Sequence, residues 1–321
     1  MQTRAHEICE SILLGNIPRA NQLAEAWLTE LPLSNLQEKT DSILQPADYH
    51  KITRYLIHRH ERLSGIPAGV EKSRELKRMV HELVSENPDS DIRRSAVTYY
   101  YAQIADGFAR DFAGQKSHQL NSEDLLDLSY ALIMIKNFTS ASETLQFLLN
   151  HHRQNPSVHY LLAHTANMLG ESTRFFEHYR EALFLKPEVV SEYPEFLPGG
   201  AFHEMYQFVI HEGYPESKRD KVFALLLELN GSYPFIRKLK TDEVRNIEIE
   251  YAKWKKDFEN SSANRKDFQP RLLHVLCWLV WHAHQTQNLG KYDIYRAEMT
   301  EIDSSAWTTF YQNNFGKNKG L

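Results

Sequence analysis

Two consecutive stretches of 34 residues, 122–155 and 156–189, place apolar and small residues at matching offsets, and this repetition restricts the fold more than any other feature. In the second stretch Leu162, Ala163 and Ala166 share one helical stripe. Met168, Leu169 and Gly170 supply a stop, because glycine takes the left-handed conformation that caps a helix. A second helix follows through Phe175, Tyr179, Ala182 and Leu183, and Pro187 ends it. Ala182 is small where that helix must come close to the first. In the first stretch Leu125, Leu128, Ser129 and Leu132 form one stripe and Ala141, Leu145 and Leu148 the other, with Asn137 and Phe138 at the turn. The pattern predicts two helical hairpins in tandem.

A 34-residue period with small residues at matched slots resembles the tetratricopeptide repeat (TPR) family. The chain departs from the family pattern at His159, a usual aromatic position, at Phe175, a usual alanine, and at Arg153, a usual proline. Weaker matches occur at 1–34, broken at Gly15, and at 276–309, where Leu289-Gly290 resembles a TPR turn. The resemblance implies an all-α, TPR-like helical-hairpin superhelix with irregular flanking helices. The first helix of each unit would line a concave groove, which places Leu126, Tyr130, Met134, Tyr160, His164 and Asn167 there. Leu126 and Tyr130 stand where a carboxylate-gripping TPR groove carries cations or amides, so that mode is not expected. Aromatic residues, a methionine and one amide suit an apolar peptide or a partner helix. Tyr130 and Tyr160 are expected to face the groove and Leu128 and Leu162 to lie between helices. The other arrangement is a groove filled by the chain's own flanking helices. The implied role is a protein–protein interaction scaffold or adaptor, with no cofactor.

Helical spacing extends over the rest of the chain, and alternating strand patterns are nearly absent. It predicts helices at 34–44, 47–63, 70–85 and 91–112, with a loop from Ala113 to Gln115. Beyond Pro187 it predicts a short helix to Phe196, a break at Pro198-Gly199-Gly200, and helices at 201–211, 216–230 and 241–258. A soluble linker is expected at 259–268, then helices at 270–287, 292–302 and 304–313 and a frayed tail at 317–321. Three regions are expected: 1–114 with hairpins and one TPR-like unit, 115–189 with the tandem repeats, and an irregular 190–321.

A formal net charge of −5 and a pI near 6.4 disfavour a general nucleic-acid binder. Arg4, Glu7 and Glu10 interrupt the apolar positions that a signal peptide would need, and no apolar run is long enough for a membrane span. Two distant cysteines on apolar stripes, Cys9 and Cys277, fit reduced core thiols, and the expected location is the cytoplasm. The chain carries 16 histidines, which raises metal or acid–base chemistry as a possibility. His274 and His282 could share a helix face, the basis of an alternative reading as a metal-dependent helical enzyme, but no carboxylate sits between them at ligand spacing. No carboxylate is expected in an apolar run that would raise its pKa, no catalytic constellation is visible, and the chain is not expected to be an enzyme. Segment 51–78 is locally basic; its face at Arg54, Arg59 and Arg62 is the secondary candidate, for an anionic partner such as RNA.

Overall fold

The computed structural model describes residues 2–30, 46–67, 69–113, 121–261 and 265–316. The helix expected at Ser34–Leu44, the loop at 114–115 and the tail at 317–321 lie outside them. Among the described residues the protein is all-α, with sixteen α-helices and no strand, in two compact units, Met1–Leu148 and Leu149–Leu321. The division falls inside one helix, not at the junctions after residues 114 and 189 where composition and repeats break.

The first unit comprises α1 (Gln2–Leu13), α2 (Ile17–Thr29), α3 (Pro46–Ser64), α4 (Val70–Glu86), α5 (Asp91–Ala113), α6 (Ser122–Met134) and most of α7 (Phe138–His151). Ile8 and Ile12 of α1 and Ala20, Ala24 and Trp27 of α2 are buried, and Trp27 meets Tyr49 of α3 edge-on at 5.3 Å. The α4–α5 contact depends on Gly107. A Cβ there would lie 2.3 Å from Ser73 Oγ and 3.3 Å from the Gly69 carbonyl oxygen, while Ser73 Oγ donates to the Ile104 carbonyl at 3.2 Å. Glycine costs about 1 kcal/mol relative to alanine inside a helix, so close approach is the reason for it here.

The second unit holds α8 (Pro156–Met168), α9 (Ser172–Leu185), α10 (Val189–Glu192), a 3-10 turn at Pro194–Phe196, α11 (Ala201–His211), α12 (Glu216–Leu229), α13 (Thr241–Asn260), α14 (Arg265–Gln285), α15 (Leu289–Ile302) and α16 (Ser304–Asn314). Every residue of α14 from Pro270 to Val280 is buried, as expected of a helix that is apolar all round and enclosed by others. Asn313 and Asn314 of α16 cap the last carbonyls of α12 through their side-chain amides, at 3.2 and 3.0 Å. The linker expected at 259–268 is helical at both described ends. Phe268 packs against Trp254 of α13 and Asp267 pairs with Lys218 of α12, so the segment has packing partners that polar composition hides.

One turn recurs. Gly15, Lys136, Gly170 and Gln287 all have positive φ, between 55° and 76°, and the next amide bonds the carbonyl five residues back at 2.8–2.9 Å. This six-to-one bond closes the end of each preceding helix. Asn16, Asn137 and Asn288 follow directly, and their side chains cap the next helix. In the last hairpin the turning residue is therefore Gln287, and Gly290, expected at the turn, lies in the first turn of α15. The register expected for 276–309 is displaced by three residues.

These geometries give two expected outcomes, both read by urea unfolding. Gly170→Ala should destabilise by about 1–2 kcal/mol, the cost of a left-handed L-residue, while Gly290→Ala should be neutral or stabilising by up to about 1 kcal/mol; the reverse order would restore the glycine register. Gly107→Ala should cost about 1–3 kcal/mol through overpacking, and adding Ser73→Ala should recover part of it.

Candidate functional site

The first unit holds half of the residues expected in a groove. On α6 Leu126, Tyr130 and Met134 are half-buried, and the Tyr130 ring lies 5.5 Å from that of Tyr101 on α5. Met134 continues into an open cleft of about 890 Å³ formed with α1, α3 and α5. Leu13, about half exposed, and Tyr49 add apolar wall, while Asp91, Arg94 and Lys136 supply charge. Arg94 is held by Asp89 at 2.7 Å and Asp91 at 2.6 Å. Lys136, at the α6–α7 turn, is exposed and forms no ion pair among the described residues. Cys9 also lines the cleft. Burial raises its thiol pKa, so it stays protonated and supplies no thiolate. The cleft's chemistry is that of apolar contact beside an available cation.

In the second unit the expectation for Tyr160 is not met. Tyr160 is 1% exposed, stacked at 6.2 Å on Tyr193 and 5.6 Å from Tyr179. His164 is half-buried, 4.5 Å from the ring of Phe196, and Asn167 is exposed. The segment after Pro187 folds back over this face of α8, the filled arrangement the sequence also allowed. Leu128 and Leu162 are buried as expected.

The basic segment 51–78 is largely neutralised. Arg59 pairs with Glu82 at 2.7 Å and Arg62 with Glu75 at 3.6 Å, while Arg74 and Lys77 reach Asp124 and Asp127 of α6. Arg54 is exposed.

Sequence reasoning missed the most polar interior of the molecule. Arg180 of α9 donates to both oxygens of Glu228 of α12, at 2.7 and 3.1 Å, and Trp278 of α14 donates to the same carboxylate at 3.0 Å. His274 Nε2 approaches it at 3.7 Å. Glu228 follows Ala224-Leu225-Leu226-Leu227 and is 1% exposed, an apolar run in which its pKa is nevertheless not raised. That charge inside an apolar run was the available signal. Burial alone would raise its pKa, but the Arg180 charge and hydrogen bonds, with His274 close by, outweigh it, and the carboxyl is held below its ordinary value. Burial keeps His274 neutral, and His282, also singled out by sequence, is half-buried beside Lys291 and Glu248. Among the described residues no three His, Cys, Asp or Glu side chains gather where they could hold a metal ion. Buried His159 and half-buried His178 are joined Nδ1 to Nδ1 at 3.1 Å, with His159 Nε2 donating to the Arg153 carbonyl at 3.0 Å. Comparison with protein families, curated proteins and solved structures found no match for this chain.

Burial lowers the pKa of His159, His164 and His274, and that of His178 to about 3. Below about pH 6.5 the unfolded chain therefore binds protons that the native state refuses, so this part of the stability is complete above pH 6.5 and falls as the pH drops. Urea unfolding should give lower stability at pH 5.5 than at pH 7.5, and His178→Gln should reduce the difference. A flat profile, or no change in slope with His178→Gln, would refute this.

Proposed function

We propose that this protein is an interaction module of TPR-like helical hairpins that receives an apolar peptide or helix of a partner protein in the cleft of the first unit. The observation that carries the reading is the meeting of exposed Leu13, half-buried Met134 and Lys136, which has no ion pair among the described residues, at the turns of two hairpins. Such a cleft suits a segment that inserts apolar side chains and presents a carboxylate to Lys136. The tandem 34-residue units and their shared turn support the repeat reading. The site in this proposal is narrower than the six groove positions: Met134 stays, Leu126 and Tyr130 lie on the same helix outside the cleft, and buried Tyr160 leaves it. The protein acts by binding, as a scaffold or adaptor and not as an enzyme. Two free cysteines fit a reducing location such as the cytoplasm. No helix among the described residues is long and apolar enough to cross a membrane.

Selection of displayed random peptides on the full chain tests this. Selected peptides should combine apolar residues with an acidic one, and Leu13→Arg/Met134→Arg should weaken them at least tenfold with melting unchanged. Lys136→Glu should weaken the acidic peptides specifically. Peptides that bind the wild type and the double variant equally would place recognition elsewhere.

A further inference from the structure

The outward face of α11 carries a self-complementary pattern. Val209 is the fully buried residue of this helix, and Tyr206 anchors the inward side, its hydroxyl donating to Asp220 at 2.9 Å and its ring edge-on to Phe223 at 5.1 Å. On the opposite side Ala201, Glu204, Phe208 and His211 follow the spacing of one helical stripe, and all four are exposed. Phe208 is 51% exposed, a large apolar ring at the middle of a charged face. Glu204 and His211 are too far apart along one helix to meet each other, and neither forms an ion pair among the described residues. Within and just after α11 the dipeptide His-Glu stands at 203–204 and again at 211–212. A two-fold axis passing between Gln207 and Phe208 sets Glu204 opposite His211 and His203 opposite Glu212, each once in either direction. Both ends of the helix are open: nothing lies within 4 Å of a Cβ built on Gly199, Gly200 or Gly213.

We propose that α11 is a homodimerisation helix that packs antiparallel against α11 of a second copy of this chain. A C2 contact requires a patch complementary to itself, and a reversed order of imidazole donor and carboxylate acceptor about a central aromatic provides one. Phe208 is covered at the axis by the partner's Phe208 and Gln207. The imidazole N–H of His211 donates to the partner's Glu204 carboxylate, and the symmetric bond repeats it. One pair of crossing helices covers less than the roughly 1,200 Å² of a stable interface, so the dimer is weak and forms as concentration rises.

Sedimentation velocity of the full chain over a concentration series should show a shift from monomer toward dimer. Phe208→Glu should hold the protein monomeric at every concentration with its melting temperature unchanged. Glu204→Lys should weaken the dimer at least tenfold by removing the acceptor, and Glu204→Lys/His211→Glu should restore it by exchanging the two sides of each pair. A wild type that stays monomeric throughout, a dimer indifferent to Phe208→Glu, or a double exchange no better than Glu204→Lys alone would each overturn the proposal.

Discussion

The second unit is organised around the carboxylate of Glu228. Side chains from α9 and α14 converge on it, with Arg180 held bidentate and Trp278 donating to one of the same oxygens. The Arg180 guanidinium also lies 4.1 Å from the Trp278 ring, whose opposite contact is Phe184 at 4.1 Å between ring centres. Removing one partner would leave an uncompensated buried charge, which typically costs about 3–5 kcal/mol, whereas an apolar replacement of the whole cluster is often neutral or stabilising. The cluster therefore fixes geometry more than it adds net stability. Bidentate hydrogen bonds have a narrow optimum, so α9, α12 and α14 can close in one relative arrangement, and the apolar surface of α14 then packs in one register. Neutral His274 belongs to the same device, since a proton there would place a third cation beside Arg180 and Arg271.

Helices were legible in the sequence where apolar spacing and punctuation agreed. Predicted spans at 70–85, 201–211 and 241–258 fall within two residues of the observed α4, α11 and α13; glycine or proline marks the ends of α4 and α11, and apolar spacing alone marks α13. The errors share one cause: a local feature was read without its distant partner. Gly290 looked like a turn because glycine favours positive φ, yet Gln287 takes φ 55°. The asparagine after it caps α15, and the carbonyl of Ala283 accepts the closing bond, so backbone bonds outweigh the side-chain preference. Polarity alone suggests a linker at 259–268, and its contacts come from the distant Trp254 and Lys218.

The candidate site was half legible for a related reason. A 34-residue repeat states which residues of α8 face its own partner helix, and Leu162, Ala163 and Ala166 are buried accordingly. It carries no information about the segment that follows the repeat, and Tyr193 and Phe196 of that segment cover Tyr160 and His164. The cleft of the first unit draws on residues near positions 13, 49, 94 and 134, and no local window of sequence contains that combination.

Charge shows the same division between local and distant information. Read locally, 51–78 is a basic face, but Arg74 and Lys77 meet carboxylates 50 residues away and Arg59 meets Glu82 on the neighbouring helix. An exposed charge already paired offers an incoming partner little, because the new ion pair must first break the old one. Under the readings proposed above, recognition falls where an apolar side chain stands beside a polar group that forms no ion pair among the described residues. Lys136 with Met134 is such a place in the first unit, and Glu204 and His211 with Phe208 is one on α11. Both places lie at or beside hairpin turns and helix faces that contribute little to the cores, so a partner can be gained or lost there without cost to the packing that holds each unit together.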